Sequence, residues 1–177
     1  CGHGSRDAEA VEEFQALAGA VAERLPQYRV ESGFLEFARP VIADGLAALR
    51  RDGVRHILAV PGMLFAAGHV KNDIPSVLNE YAARHPDMEI QLGRDLAVDA
   101  KLTRAAGARI EAALSGVDEG VSRLETLLMV VGRGTSDPDA NSNISKVTRL
   151  LWEGMGFGWA ETAYSGVTFP LVEPALE

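Results

Sequence analysis

Two histidines in glycine-containing loops are the side chains of this chain best suited to chemistry. His3 lies between Gly2 and Gly4, and His69 follows Gly68 in a long loop. Glycines at such points let the backbone turn sharply and approach a ligand closely. A neutral imidazole binds first-row divalent metals such as cobalt, iron and nickel, and it accepts protons near neutral pH. Because a closed structural zinc site needs four ligands, two histidines predict an open site from which a metal is passed on.

Glu36, which ends the segment GFLE, is the third candidate. Its carboxylate could take up a proton or guide the metal, or it could be a surface or helix-start charge. The histidines have structural alternatives as well, since His3 could hydrogen-bond its own turn and His69 could lie beside a helix capped by Asn72 or Asp73. His56, at the start of a buried strand, and His85, before a proline at a helix end, are expected to be structural.

The composition narrows the class of protein. The 177 residues can form one domain, or one and part of a second, and 47% of them are hydrophobic. No apolar run approaches the roughly 20 residues of a membrane span, so no membrane partner is expected. The net charge of -8 argues against a nucleic-acid partner and requires local arginines and lysines for any anionic ligand. The single cysteine, Cys1, excludes an intrachain disulfide and fits a reducing cytoplasm, which is the expected location.

Alternating strands and helices are predicted to position the candidate residues. Val11, Phe14 and Leu17 recur at three- and four-residue steps and indicate a first helix. The whole pattern predicts helices over 7–25, 40–53, 75–84, 98–114 and 142–153, and strands over 28–35, 56–60, 90–92, 127–131 and 160–165. This alternation is typical of an α/β fold with parallel sheets flanked by helices. Because loops at the carboxyl ends of parallel strands form the ligand sites of such folds, His3 and His69 can face each other across one crevice.

The second half of the chain repeats the first at a constant offset of 130 residues. The matching pairs are Gly2 with Gly132, Gly4 with Gly134, Asp7 with Asp137, Phe34 with Tyr164, Pro40 with Pro170, and Leu46 with Leu176. Such a match indicates an internal duplication. In the second copy Arg133 replaces His3 and Gly166 replaces Glu36. We therefore predict a reactive lobe over 1–120 and the start of a degenerate, substrate-holding lobe over 124–177, with a polar linker at 115–123.

The repeat also predicts that the chain is a fragment. The second copy stops after about a third of the course of the first, and the strand that should precede Gly2 is missing. A homo-oligomer that completes the sheet is an open alternative.

Several segments together resemble a known family, the sirohydrochlorin chelatases of the class II chelatase superfamily. In the first half these segments are GHGSRD, GFLEFARP and VPGMLFAAGHVKNDIP. In the second half GRGTSDPDAN, LLWEGMGFG and AYSGVTFP resemble the degenerate lobe of the long, internally duplicated members. The resemblance covers nearly the whole chain, and it depends on the combination of segments, since GHGS alone is common.

The resemblance implies an enzyme, a lyase, that inserts a divalent metal into sirohydrochlorin without ATP. The metal is cobalt on the way to cobalamin or iron on the way to sirohaem. It enters as a substrate, and no tightly bound cofactor is implied. The implied fold is two similar α/β lobes. The two family histidines match His3 and His69, which would bind the metal and help remove the pyrrole protons, while Glu36 is an analogue of the glutamate in related ferrochelatases. Ser5, Arg6, Lys71 and Arg133 are the expected substrate-binding residues.

Two rival functions are left open by the sequence. A glycine turn before a helix is also a natural site for phosphate, although Gly2-His3-Gly4 lacks the third glycine of the dinucleotide fingerprint and no Walker lysine follows. A tetrapyrrole or metal carrier without turnover would need the same residues as a chelatase. Loss of catalysed metal insertion on replacing His3 would distinguish the enzyme from the carrier.

Overall fold

The computed structural model describes residues 1–116 and 121–177. Its helices and strands are α1 (Ala8–Arg24), α2 (Ile42–Arg51), β1 (His56–Ala59), α3 (Ile74–Arg84), β2 (Glu89–Leu92), α4 (Ala100–Leu114), β3 (Leu127–Gly132), α5 (Pro138–Met155), β4 (Trp159–Tyr164) and α6 (Val172–Ala175). A wide, π-type turn, His69–Asp73, leads directly into α3. In the part of the chain so described, no helix is long and apolar enough to cross a membrane. The chain divides into two compact units, Cys1–Leu96 and Ala97–Glu177.

The first unit is built on the parallel strands β1 and β2. They pair from His56 opposite Glu89 to Ala59 opposite Leu92. Alternate residues of β1 point into a core that α2 and α3 complete, as the two-residue period of a strand requires. Its buried members are Ile42, Leu46, Leu49, Ile57, Ala59, Ile74, Leu78, Tyr81 and Met88.

The second unit is built on the parallel strands β3 and β4, which pair from Leu127 opposite Trp159 to Gly132 opposite Tyr164. Helix α5 packs on both strands. The hydroxyl of Thr148, a buried polar residue of α5, meets the hydroxyl of Thr162 in β4 at 2.8 Å, so the burial of both groups is compensated.

The α/β class expected from the sequence is confirmed, and the predicted elements need corrections. The predicted strand over 28–35 is wrong, because only Phe34 forms bridges, with Gly2 and Val41. The helix predicted from Pro40 begins at Ile42, because Val41 has extended backbone at the N-cap position and its amide donates to the Asp44 carboxylate at 3.1 Å. The helix predicted from residue 75 is already helical from His69, so Asn72 and Asp73 lie inside helical turns and do not cap it.

The compact units divide earlier than the predicted lobes. Helix α4 contacts α5, so it groups with the second unit, although the sequence assigned it to the lobe over 1–120. The predicted boundary at 120 and the centre of the predicted linker, residues 117–120, lie outside the described residues. The lobe boundary therefore stays a prediction.

The two units share one backbone frame at the offset of 130 residues. Its hydrogen bonds are Phe34 N to Pro40 O (2.8 Å) and Tyr164 N to Pro170 O (2.9 Å), together with Leu35 N to Gly2 O (2.8 Å) and Ser165 N to Gly132 O (2.8 Å). Asp7 and Asp137 cap α1 and α5 through equivalent carboxylate contacts, each 3.0 Å from the amide two residues on. The frame is thus common to both units, and the side chains on it differ.

Candidate metal centre

The loop that carries His3 is held by main-chain contacts that only glycine permits. Gly2 pairs with Phe34, donating to Gly33 O at 2.9 Å, so His3 leaves the end of a short parallel bridge. Gly4 follows with a φ of +95°, in the left-handed region that favours glycine. A Cβ at Gly4 would overlap the carbonyl oxygen of Glu36. The His3 loop and the Glu36 segment are therefore packed backbone against backbone.

A three-residue turn aims Glu36 at His3. The amide of Ala38 donates to Glu36 O at 2.8 Å, and the central residue, Phe37, has a φ of 62°. This is the γ-turn with a positive central φ, which is rare and strained. The amide of Glu36 donates to His3 O at 3.0 Å, and its carboxylate Oε1 lies 3.4 Å from His3 Nε2. The turn thus gives the third candidate ligand its position.

His69 is positioned by the wide turn that precedes α3. Val70 within the turn and Ile74 directly after it, 8% and 0% exposed, anchor this segment in the core. One turn after His69, the carboxylate of Asp73 lies with Oδ2 2.7 Å from His69 Nδ1. Local widening of a helix is frequent at functional sites. Here it leaves His69 half-buried, next to the buried Val70.

The hydrogen bonds of the two imidazoles determine which nitrogen is free. Nδ1 of His3 lies 2.8 Å from Gly4 O, and a carbonyl only accepts, so this nitrogen carries the proton. Nδ1 of His69 donates in the same way to the Asp73 carboxylate. In the neutral form of each imidazole, Nε2 therefore presents a lone pair, and the two Nε2 atoms lie 3.1 Å apart. Two lone pairs that face each other at this distance are favourable only when a proton or a cation lies between or beside them.

His3, Glu36 and His69 form the group of half-buried ligand atoms that the structure brings together. One ligand atom of each lies within 4.8 Å of the others. Two nitrogens and one oxygen suit a first-row divalent ion and leave coordination positions open. Each imidazole also has the outer hydrogen bond that usually accompanies a metal-binding histidine. The arrangement can hold a metal ion, accept protons, or do both in turn.

The predicted substrate-binding residues occupy separate places. Ser5 accepts a hydrogen bond from the amide of Asp7 at 3.0 Å. The guanidinium of Arg6 lies over the ring of Phe37, 5.1 Å from its centroid. Lys71 is exposed in the wide turn, two residues after His69. Arg133 belongs to the second unit and is exposed after β3.

Two residues beside the candidate ligands escaped the sequence reasoning, which treated Asp73 only as a helix cap and did not single out Phe37. The four-residue spacing between His69 and Asp73 is a signal that could have identified the pair on a helix. No sequence signal places the aromatic ring of Phe37 beside His3, with ring centroids 6.0 Å apart. His56 and His85 have other partners, a carboxylate oxygen of Glu89 at 3.0 Å and the ring of Tyr81 at 4.4 Å.

Comparison with known proteins identifies the family of the chain. A sequence model of the CbiX family matches residues 1–113 and 127–177. A sirohydrochlorin cobaltochelatase of Priestia megaterium is 35% identical over 99% of this chain and 56% of its own length. A sirohydrochlorin ferrochelatase of Bacillus subtilis is 32% identical over 86% of this chain and 56% of its own length. The chain thus spans about half the length of these curated relatives.

A solved structure extends the likeness to the fold. SirB from Bacillus subtilis with Fe³⁺ superposes with a TM-score of 0.86 and 28% identity, over 98% of this chain and 67% of the other. A second SirB structure, from Bacillus subtilis subspecies spizizenii in complex with cobalt, has a TM-score of 0.75 at 22% identity and supports the fold alone. With the family model covering most of its residues, the chain belongs to the CbiX family.

Proposed function

We propose that this protein inserts a divalent metal, cobalt or iron, into sirohydrochlorin without ATP. The observation that carries the proposal is the convergence of the lone pairs of His3 Nε2 and His69 Nε2, 3.1 Å apart, beside the carboxylate of Glu36. The names of the relatives, cobaltochelatase and ferrochelatase of sirohydrochlorin, support both the substrate and the choice of metals.

Metal insertion makes two demands that this group meets. The macrocycle gains M²⁺ and loses two pyrrole protons, so the enzyme must release a metal and accept protons. His3 and His69 offer one free Nε2 each, because their Nδ1 atoms are occupied by Gly4 O and by Asp73. When the ion moves to the pyrrole nitrogens, the same lone pairs become available as bases. Glu36 lies close enough to guide the ion or to take a proton.

A chain with a net charge of -8 needs local cations to hold a substrate with eight carboxylates. We assign this role to Arg6, Lys71 and Arg133, with the hydroxyl of Ser5 as a polar contact. The exposure of the three cationic side chains supports the assignment. The division of labour that we propose gives the reaction to the first lobe, while the second lobe helps to hold the substrate through Arg133. We further propose a cytoplasmic enzyme with no resident cofactor.

An optical assay tests the reaction. Sirohydrochlorin and Co²⁺ are mixed with the protein without ATP, and the absorbance change of metal insertion is followed. We expect catalysed insertion by the wild type and its loss in His3→Ala and in His69→Ala. His56→Ala is the matched control, because His56 is an exposed histidine of the same unit with a partner of its own. A wild-type rate equal to the uncatalysed rate with both cobalt and iron would refute the chelatase proposal. Retained tetrapyrrole binding would then favour a carrier.

A further inference from the structure

Phe37 combines three properties that are unfavourable without a ligand. It is a large apolar side chain that is 53% exposed, and its φ of 62° lies where residues with a Cβ are strained. It is also the central residue of the γ-turn between Glu36 and Ala38. Glycine or asparagine would satisfy this backbone at a lower cost. The presence of phenylalanine therefore needs a reason beyond the turn.

The second unit contains the same turn with a different central side chain. There the amide of Thr168 donates to Gly166 O at 2.8 Å, and the central residue, Val167, has a φ of 68°. The scaffold thus makes the same strained turn in both units, with and without the histidine and glutamate. The turn itself belongs to the frame, and what distinguishes the first unit is the aromatic ring on it.

The ring of Phe37 lies close both to the candidate metal centre and to a cation. Its centroid is 6.0 Å from the ring of His3, and the guanidinium carbon of Arg6 lies 5.1 Å from the centroid on the ring face. A flat apolar surface beside the metal ligand, with a positive charge next to it, complements a flat conjugated macrocycle that has carboxylates at its rim. A phosphate ligand would have no use for the exposed aromatic ring.

We propose that Phe37 is a contact platform for the conjugated ring of the tetrapyrrole and that it holds Arg6 in place for a peripheral carboxylate. This inference rests on the proposed function, since it takes sirohydrochlorin as the ligand. Contact with the macrocycle would cover the exposed ring. It would place the pyrrole nitrogens beside the Nε2 atoms of His3 and His69.

The test measures two affinities in the same variants. Metal-free sirohydrochlorin is titrated by its fluorescence and absorbance, and Co²⁺ is titrated separately without tetrapyrrole. We expect Phe37→Ala to weaken sirohydrochlorin binding about ten-fold, from the loss of one aromatic contact and its apolar area, and to leave the Co²⁺ affinity unchanged. Phe37→Trp, which keeps a flat ring, should bind within about three-fold of the wild type. Leu17→Ala removes an apolar side chain of similar exposure, 56%, from α1 and should change neither affinity.

A glycine variant distinguishes the loss of the ring's contact with the tetrapyrrole from a change in the stability of the protein. Phe37→Gly removes the ring and relieves the backbone strain, so we expect it to melt at a higher temperature than Phe37→Ala and to bind sirohydrochlorin as weakly. Equal sirohydrochlorin affinity in wild type, Phe37→Ala and Phe37→Gly would overturn the platform and leave the chelatase proposal intact. A wild type that neither binds sirohydrochlorin nor inserts metal would overturn both.

Discussion

Replacing Gly4 by alanine tests whether the His3 loop depends on the backbone contact with Glu36. Gly4 has a φ of +95°, and an added Cβ would overlap Glu36 O. The left-handed conformation costs a residue with a Cβ about 1–2 kcal/mol. The overlap forces a main-chain shift that adds about 1–3 kcal/mol, the usual cost of overpacking. We therefore expect Gly4→Ala to lower the free energy of unfolding by about 2–5 kcal/mol, which a typical domain survives.

Two other glycines allow the conformational cost and the cost of the overlap to be measured separately. Gly53 has a φ of +84° and open space around a new Cβ, so Gly53→Ala should cost only the conformational part, about 1–2 kcal/mol. Gly134 has a φ of +85°, and its added Cβ would overlap Gly166 O, so Gly134→Ala should cost as much as Gly4→Ala. Gly134 is far in sequence from both histidines and belongs to the other compact unit. It is therefore a control with the same strain and no metal ligand.

The stability and the Co²⁺ affinity of the three variants are measured in separate assays. Chemical denaturation followed by circular dichroism gives the stability of each, and the fluorescence of Trp152 and Trp159, the chain's two tryptophans, reports the second unit. Titration with Co²⁺ reports the metal centre. Gly4 O holds His3 Nδ1 at 2.8 Å, so its displacement should weaken Co²⁺ binding about 10–100-fold, as the loss of an outer hydrogen bond usually does.

Gly53→Ala and Gly134→Ala should keep the wild-type Co²⁺ affinity. Unchanged Co²⁺ binding in a folded Gly4→Ala would refute the reasoning, as would an equal loss of binding in Gly134→Ala.

Two further predictions concern carboxylates. Asp73→Asn removes the anion that fixes the tautomer of His69 and should weaken Co²⁺ binding about ten-fold. Glu80→Gln, at an exposed position of α3, is the control and should leave Co²⁺ binding unchanged. Equal Co²⁺ affinities of the two variants would show that Asp73 has no such role. Hydrogen bonding to Arg50 lowers the pKa of Asp87 below its ordinary value of 3.8. Because the folded-state pKa is the lower one, the stabilisation is complete above the unfolded value and is lost as the pH falls through the folded value. An NMR titration of Asp87 should show this low midpoint, and Arg50→Gln should raise it.

Helices were the more predictable part of the fold. Helical periodicity and a capping aspartate are local signals, so α1 and α5 could be expected, and α5 begins at Pro138, four residues before its predicted start. A strand depends on its neighbours, and residues 28–35 show a strand composition while only Phe34 makes a bridge. The exposed face of α1, including Leu17, shows the same limit, because periodicity identifies an apolar face and does not identify what covers it.

The candidate site was predictable in its ligands and not in its supports. Loops that follow parallel strands meet at one edge, and this rule suffices to expect His3 near His69. The γ-turn at Phe37 contradicts the local preference of phenylalanine, so no propensity could reveal it. The loop sequence carries no signal for the wide turn at His69, which lies against the core through Val70 and Ile74.

The shared frame of the two units has a consequence for protein engineering. The second unit has the same backbone geometry as the first, although Arg133 and Gly166 stand at the positions of His3 and Glu36. A histidine and a glutamate can therefore be introduced there. Arg133→His would put an imidazole on the second glycine loop, and Gly166→Glu is sterically admissible because a Cβ there meets nothing within 4 Å. The second unit therefore offers a backbone on which a two-ligand centre can be built, and the contribution of each ligand can be measured there separately from the candidate centre of the first unit.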